Sequence, residues 1–132
     1  MKKLLFLLVA TFFASCTTVN FDEYIQKDKP FYLSQNSPID SIISQNGEIM
    51  PNTQKHKRLL KWFAENRNDW QHSPASYIGQ NRIRQDSFQM LIPKPSTEVK
   101  AEGVVIQFTD KEGEPQQYSK SIVNKELNFL YE

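Results

Sequence analysis

From Leu59 to Trp70 the large side chains recur on one face of a helix: Leu59, Trp62, Phe63, Asn66 and Trp70 follow at offsets of 3, 1, 3 and 4, the spacing of a 3.6-residue period. Either Asn52 or Thr53, just after Pro51, is placed to cap the free amides of a helix that continues from Gln54 to Glu65. Asn66 or Asn68 then suits a left-handed stop. Further on the period becomes two. Phe88, Met90 and Ile92 share one face, as do Val104, Ile106 and Phe108, which is the signature of strands.

Asp110-Lys111-Glu112-Gly113 fits a type I turn followed by a positive-φ glycine, joining the strand that ends near Thr109 to one that starts near Gln116. Tyr118, Ile122, Leu127, Phe129 and Tyr131 extend the alternation to the C-terminus, with Asn124-Lys125 as a tight turn. Pro93-Lys94-Pro95 interrupts the series as a loop. Nearer the N-terminus Asn46-Gly47 is a turn signal, so residues 38–50 read either as a hairpin or as a short helix over 38–44. Residues 16–30 carry Val19, Phe21, Tyr24 and Ile25 at no sustained period and read as a tether. The expected fold is α+β: one amphipathic helix packed on an antiparallel sheet of about four strands, with a possible extra N-terminal hairpin, in a single globular domain over residues 31–132.

Residues 1–15 have a different pattern. Lys2 and Lys3 precede an apolar run from Leu4 to Phe13, and the small residues Ala14 and Ser15 stand before Cys16. A charged start, a short apolar segment and a small-residue site form an export signal, and the run is about half of the roughly 20 residues that would span a bilayer. Phe13-Ala14-Ser15-Cys16 resembles the lipobox of bacterial lipoproteins, with Phe13 where Leu is usual. The resemblance implies that Cys16 becomes the lipid-bearing first residue of the mature protein. Thr17 is not the Asp that resembles an inner-membrane retention signal, so the outer membrane, facing the periplasm, is the expected location.

Losing the leader removes two lysines and leaves 14 cationic against 15 acidic side chains. The mature chain is nearly neutral, which gives no charge argument for nucleic acid. Cys16 is the sole cysteine, and lipidation would consume its sulfur. Disulfides, thiolate metal sites and a cysteine nucleophile fall together.

Lys55, Lys57, Arg58 and Lys61 crowd the first half of the helix, where the backbone dipole already presents positive charge and each exposed cation costs roughly 0.3–1 kcal/mol. Such a local violation marks either an anion-facing interaction surface or a solvated face. Trp62, Phe63 and Trp70 read either as core or as a stacking platform, with Trp70 the more available of the three. His56 and His72 lack metal-site spacing and read as surface or loop residues. Asp110, Glu112 and Glu114 lie where a turn expects carboxylates, and no Gly-x-Ser-x-Gly elbow or phosphate-binding glycine motif occurs. No catalytic residue, metal ligand or cofactor is expected.

With Leu59-x-x-Trp62-Phe63-x-x-Asn66-x-x-x-Trp70, Tyr77 and the strand containing Phe88, the domain resembles small uncharacterised bacterial lipoproteins. That resemblance carries no activity or site residues. The functional expectation is a non-enzymatic, lipid-anchored envelope protein that binds another protein as inhibitor, immunity factor or assembly accessory. The alternative is a module for anionic lipid or cell-wall glycan. The candidate interaction surface is Lys55, Lys57, Arg58, Lys61 and Trp70.

Overall fold

A computed structural model describes residues 16–35, 45–74 and 81–132. The chain forms β1 (Phe31–Gln35), β2 (Gln45–Ile49), α1 (Gln54–Glu65), β3 (Gln71–His72), β4 (Asn81–Gln85), β5 (Phe88–Ile92), β6 (Ala101–Thr109) and β7 (Pro115–Val123), with 3-10 helices at Phe21–Glu23 and Asn124–Tyr131. Among the described residues all pairings between strands are antiparallel, and the seven strands make one sheet in the order β2-β1-β4-β5-β6-β7-β3.

This corrects the expected four-stranded α+β arrangement: the molecule is mostly sheet, with a single 12-residue α-helix among the described residues. β3 and β4 were hidden because they carry few apolar side chains, and the Phe31-Tyr32-Leu33 run of β1 has no apolar–polar alternation. In β4 only Ile83 enters the hydrophobic core, while Asn81 and Gln85 are buried polar residues. The Asn46-Gly47 pair lies inside β2, opposite Ser34 and Leu33 of β1, rather than in a turn. The first arm of the expected hairpin falls largely outside the described residues.

The C-terminal segment differs too. Leu127, Phe129 and Tyr131 alternate as a strand would, yet the backbone is a 3-10 helix over Asn124–Tyr131. Its three-residue period superimposes Asn124, Leu127 and Leu130, all buried.

The helix forms where its pattern places it. Thr53 is the N-cap, with its hydroxyl accepting from the His56 amide at 3.2 Å. Leu59, Trp62, Phe63 and also His56 are buried. His56 is therefore not a surface residue, and its Nε2–H donates to the Lys29 carbonyl at 2.9 Å. At the other end Asn66 does not take the left-handed conformation; Asp69 does, at φ 67°.

Residues 16–30 are corrected most sharply. Val19, Phe21 and Ile25 are buried in the main core, so this segment is not a free tether. Phe21 meets Phe63 at 4.8 Å, Trp70 at 5.8 Å and Phe88 at 6.0 Å between ring centroids. Backbone bonds hold it as well: Thr17 N–H to the Trp70 carbonyl at 2.7 Å, Trp70 N–H to the Thr17 carbonyl at 3.1 Å, and Val19 N–H to the Arg67 carbonyl at 2.7 Å. Gln85, from the middle of the sheet, clamps the following loop. Its Oε1 accepts from the Gln26 amide at 2.5 Å, and its Nε2 donates to the Gln26 carbonyl at 2.8 Å.

The turn between β6 and β7 has its expected form, with Gly113 at φ 79° and its amide bonded to the Asp110 carbonyl at 3.0 Å. The Asp110 carboxylate accepts from the amides of Glu114 at 2.9 Å and Glu112 at 3.0 Å, and from Gln116 Nε2 at 2.8 Å. Those donors, the Glu114 amide foremost, hold its pKa below the ordinary aspartate value. A depressed folded-state pKa gives a contribution that is complete above the unfolded value and is lost as pH falls through the folded one. The Glu112 and Glu114 amide shifts should therefore follow one NMR titration centred below about 3.9. A midpoint at or above that value would show that the turn does not hold the carboxylate in its charged form.

No helix among the described residues is long and apolar enough to cross a membrane. Helix α1, both 3-10 helices and the N-terminal segment share the core with one face of the sheet. The side chains that alternate with the core residues point to the opposite face of the sheet.

Candidate functional site

That second face is built by alternation. Since Ile83, Met90, Val104, Ile106 and Phe108 enter the core, their neighbours along each strand point the other way. Strand register arranges these neighbours in two rows. The first runs Tyr32, Arg84, Gln89, Gln107, Gln117; the second runs Ser34, Arg82, Leu91, Val105, Ser119, Gln71.

The first row is a ladder of side-chain amides. Gln89 Nε2 donates to Gln107 Oε1, Gln107 Nε2 to Gln117 Oε1 at 2.6 Å, and Gln117 Nε2 to the Ser73 carbonyl at 2.8 Å. Each amide holds the next in a fixed orientation, which makes this part of the face stiff as well as polar. Tyr32, 43% exposed, and Arg84, also exposed, continue the row.

In the second row Leu91 and Val105 are each only 3% exposed although they lie outside the main core. With Gly103, Ser119, Ser121, Gln71, Asp69 and Lys120 they line a groove of about 640 Å³. Gly103 supplies no side chain, and the space where its Cβ would stand is open for at least 4 Å. Arg82 lies across from Leu91, and its Nε is buried with no hydrogen-bond partner among the described residues. An unpaired buried donor costs about 1–3 kcal/mol.

The residues singled out from the sequence are not brought together. Trp70 is fully buried, with its indole N–H donating to the Asn66 carbonyl at 2.7 Å, so it does not belong to an interaction surface. Lys55 Nζ donates to the Glu132 backbone carbonyl. Arg58 stacks 4.3 Å over the Phe129 ring and reaches the Glu132 carboxylate at 3.9 Å. These contacts pack α1 against the C-terminal 3-10 helix and offset the cation-rich first turn. Lys61 pairs with Glu65 at 3.7 Å. Lys57 is exposed. The helix thus presents dispersed cations, two of them committed to packing.

Two other concavities flank the first segment. Phe21, Ile25, Leu60 and Phe63 floor one of about 320 Å³, rimmed by Asp22, Lys27, Lys61 and Arg67; Lys27 is paired with Asp22 at 3.2 Å. The other, about 400 Å³, lies between Thr17–Tyr24 and the Asp110 turn. There the Tyr24 ring packs at a tilt against Phe108, 4.1 Å between centroids, and burial, then the charge of Glu23, pushes its hydroxyl pKa upward. His72 lies edge-on to Tyr118 at 5.5 Å. Among the described residues no three His, Cys, Asp or Glu side chains converge as metal ligands would.

The Arg82 and Arg84 surface was invisible in the sequence because Asn81-Arg82-Ile83-Arg84-Gln85 has a single apolar residue. Only the assignment of these residues to an interior strand places both arginines on one face beside Tyr32. No protein-family model matches the chain, and no curated protein or solved structure matches it significantly.

Proposed function

We propose that this is a lipid-anchored protein of the bacterial cell envelope whose domain binds another protein, as an inhibitor, an immunity factor or an accessory to envelope assembly, and that it is not an enzyme. The leader pattern ending at Cys16 supports the anchor, and Thr17 favours the outer membrane facing the periplasm. One observation carries the binding half: Tyr32 and Arg84 stand exposed side by side on a sheet face whose next positions are the hydrogen-bonded glutamine row. That face combines an exposed tyrosine and arginine, residue types that anchor protein interfaces, with a row of ordered amides. His56, the buried imidazole, is committed to the Lys29 carbonyl and has a structural role.

The test uses the full lipidated protein, captured from solubilised envelope, with Tyr32→Ala and Arg84→Glu as exposed substitutions on that face. A partner held in stoichiometric amount by the parent and lost from the double variant, whose melting is unchanged, is the expected result. A partner retained by the variant would remove this face from the proposal. Salt-sensitive binding to anionic lipid or glycan alone would favour a ligand-binding module instead.

A further inference from the structure

We infer that the domain has no spacer between lipid and fold, so that the surface around Asn68 and Lys120 is held directly against the bilayer. The inference rests on the lipid-anchor reading of Cys16 and adds where the membrane must lie. Cys16 is exposed, and the next residue is already fastened. Thr17 forms a bridge with Trp70, using both its N–H and its carbonyl. Consecutive Cα atoms are about 3.8 Å apart, which leaves one peptide unit of freedom between the modified sulfur and the edge of the sheet.

The surroundings of that bridge are rigid as well. Thr18 Oγ1 is 3.0 Å from Asn68 Oδ1. Lys120 Nζ donates to the Asn68 carbonyl at 2.8 Å and lies 6.0 Å from the centre of the Trp70 ring. Val19 is bonded to Arg67, and Arg67 Nη2 donates to Asn20 Oδ1 at 2.8 Å. Lys120 and Arg67 thus stand beside the attachment point, where phospholipid headgroups would meet them; Asp69 is the acidic residue in the same loop. With acyl chains drawn into the bilayer from Cys16, this end cannot swing away as it would on a flexible leader.

Strand order fixes the opposite end. β3, which continues from Trp70, is one edge of the sheet and β2 is the other. At about 4.8 Å per step, β2 lies six steps from β3, roughly 29 Å measured along the curve of the sheet. Glu48 of β2 is exposed and marks this distal edge. Strand position in the sheet, rather than a linker, sets how far a residue stands from the attachment point.

Lipidation of Cys16 leaves no free thiol, so a cysteine introduced elsewhere is the only reactive one. Asn68→Cys and Glu48→Cys proteins, produced with the native leader and reconstituted in vesicles, are treated with a bulky maleimide-polyethylene glycol reagent. Palmitate incorporation is read in the same samples, and Cys16→Ala serves as the unlabelled reference. Position 48 should react as fast as in a soluble form that begins at Thr17, and position 68 several-fold more slowly than in that form. Inserting a Gly/Ser spacer of about 16 residues after Cys16, with an r.m.s. span of roughly 20–24 Å, should restore reaction at position 68. Equal slowing at both positions, no slowing at 68, or slowing that the spacer does not relieve would overturn the apposition while the anchor stands. Absence of palmitate with the protein recovered in the soluble fraction would overturn the anchor and this inference together.

Discussion

A chain shortened to begin at Pro30 should fail to fold. The deletion removes Val19, Phe21 and Ile25 from the core. At roughly 1.5–3 kcal/mol for each fully buried side chain, the loss is about 5–9 kcal/mol, against a total stability of about 5–15 kcal/mol for a typical domain. It also strips Gln85 of its partners at Gln26 and His56 of the Lys29 carbonyl, leaving buried polar groups unpaired at a further cost. The comparison is a soluble form beginning at Thr17, which keeps every one of these contacts. Thermal and urea unfolding followed by near-UV circular dichroism should be cooperative for the longer form and absent for the shorter one. A cooperative, native-like transition in the chain starting at Pro30 would show that the first segment is the tether its sequence suggests.

The reason that segment looked dispensable explains much of what was and was not legible. Periodicity reports regular elements, and it found α1 because its stripe and its Thr53 cap agree. It found β5 and β6 because Phe88, Met90 and Ile92, then Val104, Ile106 and Phe108, alternate without interruption. Val19, Phe21 and Ile25 fill the core from an irregular segment, where no period exists to be seen. β1 and β4 show no sustained alternation of apolar side chains: β1 ends in Ser34-Gln35, and Ile83 is the one apolar residue of β4. Their polar residues are satisfied through distant parts of the chain: Asn81 donates to the Tyr131 hydroxyl at 2.9 Å, which itself donates to the Pro93 carbonyl at 2.6 Å. A hydropathy pattern scores Asn81 and Gln85 as surface, whereas hydrogen bonding across fifty or more positions makes them interior.

The candidate surface shows the same limit. The cation run from Lys55 to Lys61 was conspicuous because its members are adjacent in sequence, yet Arg58 is stacked on Phe129 and Lys55 is bonded to the Glu132 carbonyl. Tyr32, Arg84, Gln89, Gln107 and Gln117 come from five separate strands and become one row only through register. Cys16 stood out in the sequence, but its nearness to the fold did not. That depends on a bridge to Trp70, which no local pattern encodes.

Trp70 joins these threads, and its replacement by Ala should cost about 3–5 kcal/mol, the range for emptying a buried indole site. The side chain is fully buried and lies edge-on to Trp62 at 6.5 Å and to Phe21 at 5.8 Å, so the cavity would open between α1 and the N-terminal segment. Trp70→Phe should cost less, since the ring volume is partly retained while the Asn66 carbonyl loses its indole donor. Urea midpoints at constant m-value measure both changes. A surface platform would predict a different outcome, a loss within about 0.5 kcal/mol for either substitution. A Trp70→Ala loss below about 1 kcal/mol would therefore contradict the core assignment. The alanine variant has a second expected signature: with the ring gone, the backbone bridge from Trp70 to Thr17 loses its support, and the Thr17 and Val19 amides should exchange faster than those of β5 and β6. Uniform acceleration across the sheet would mean instead that the first segment and the core open as a single unit.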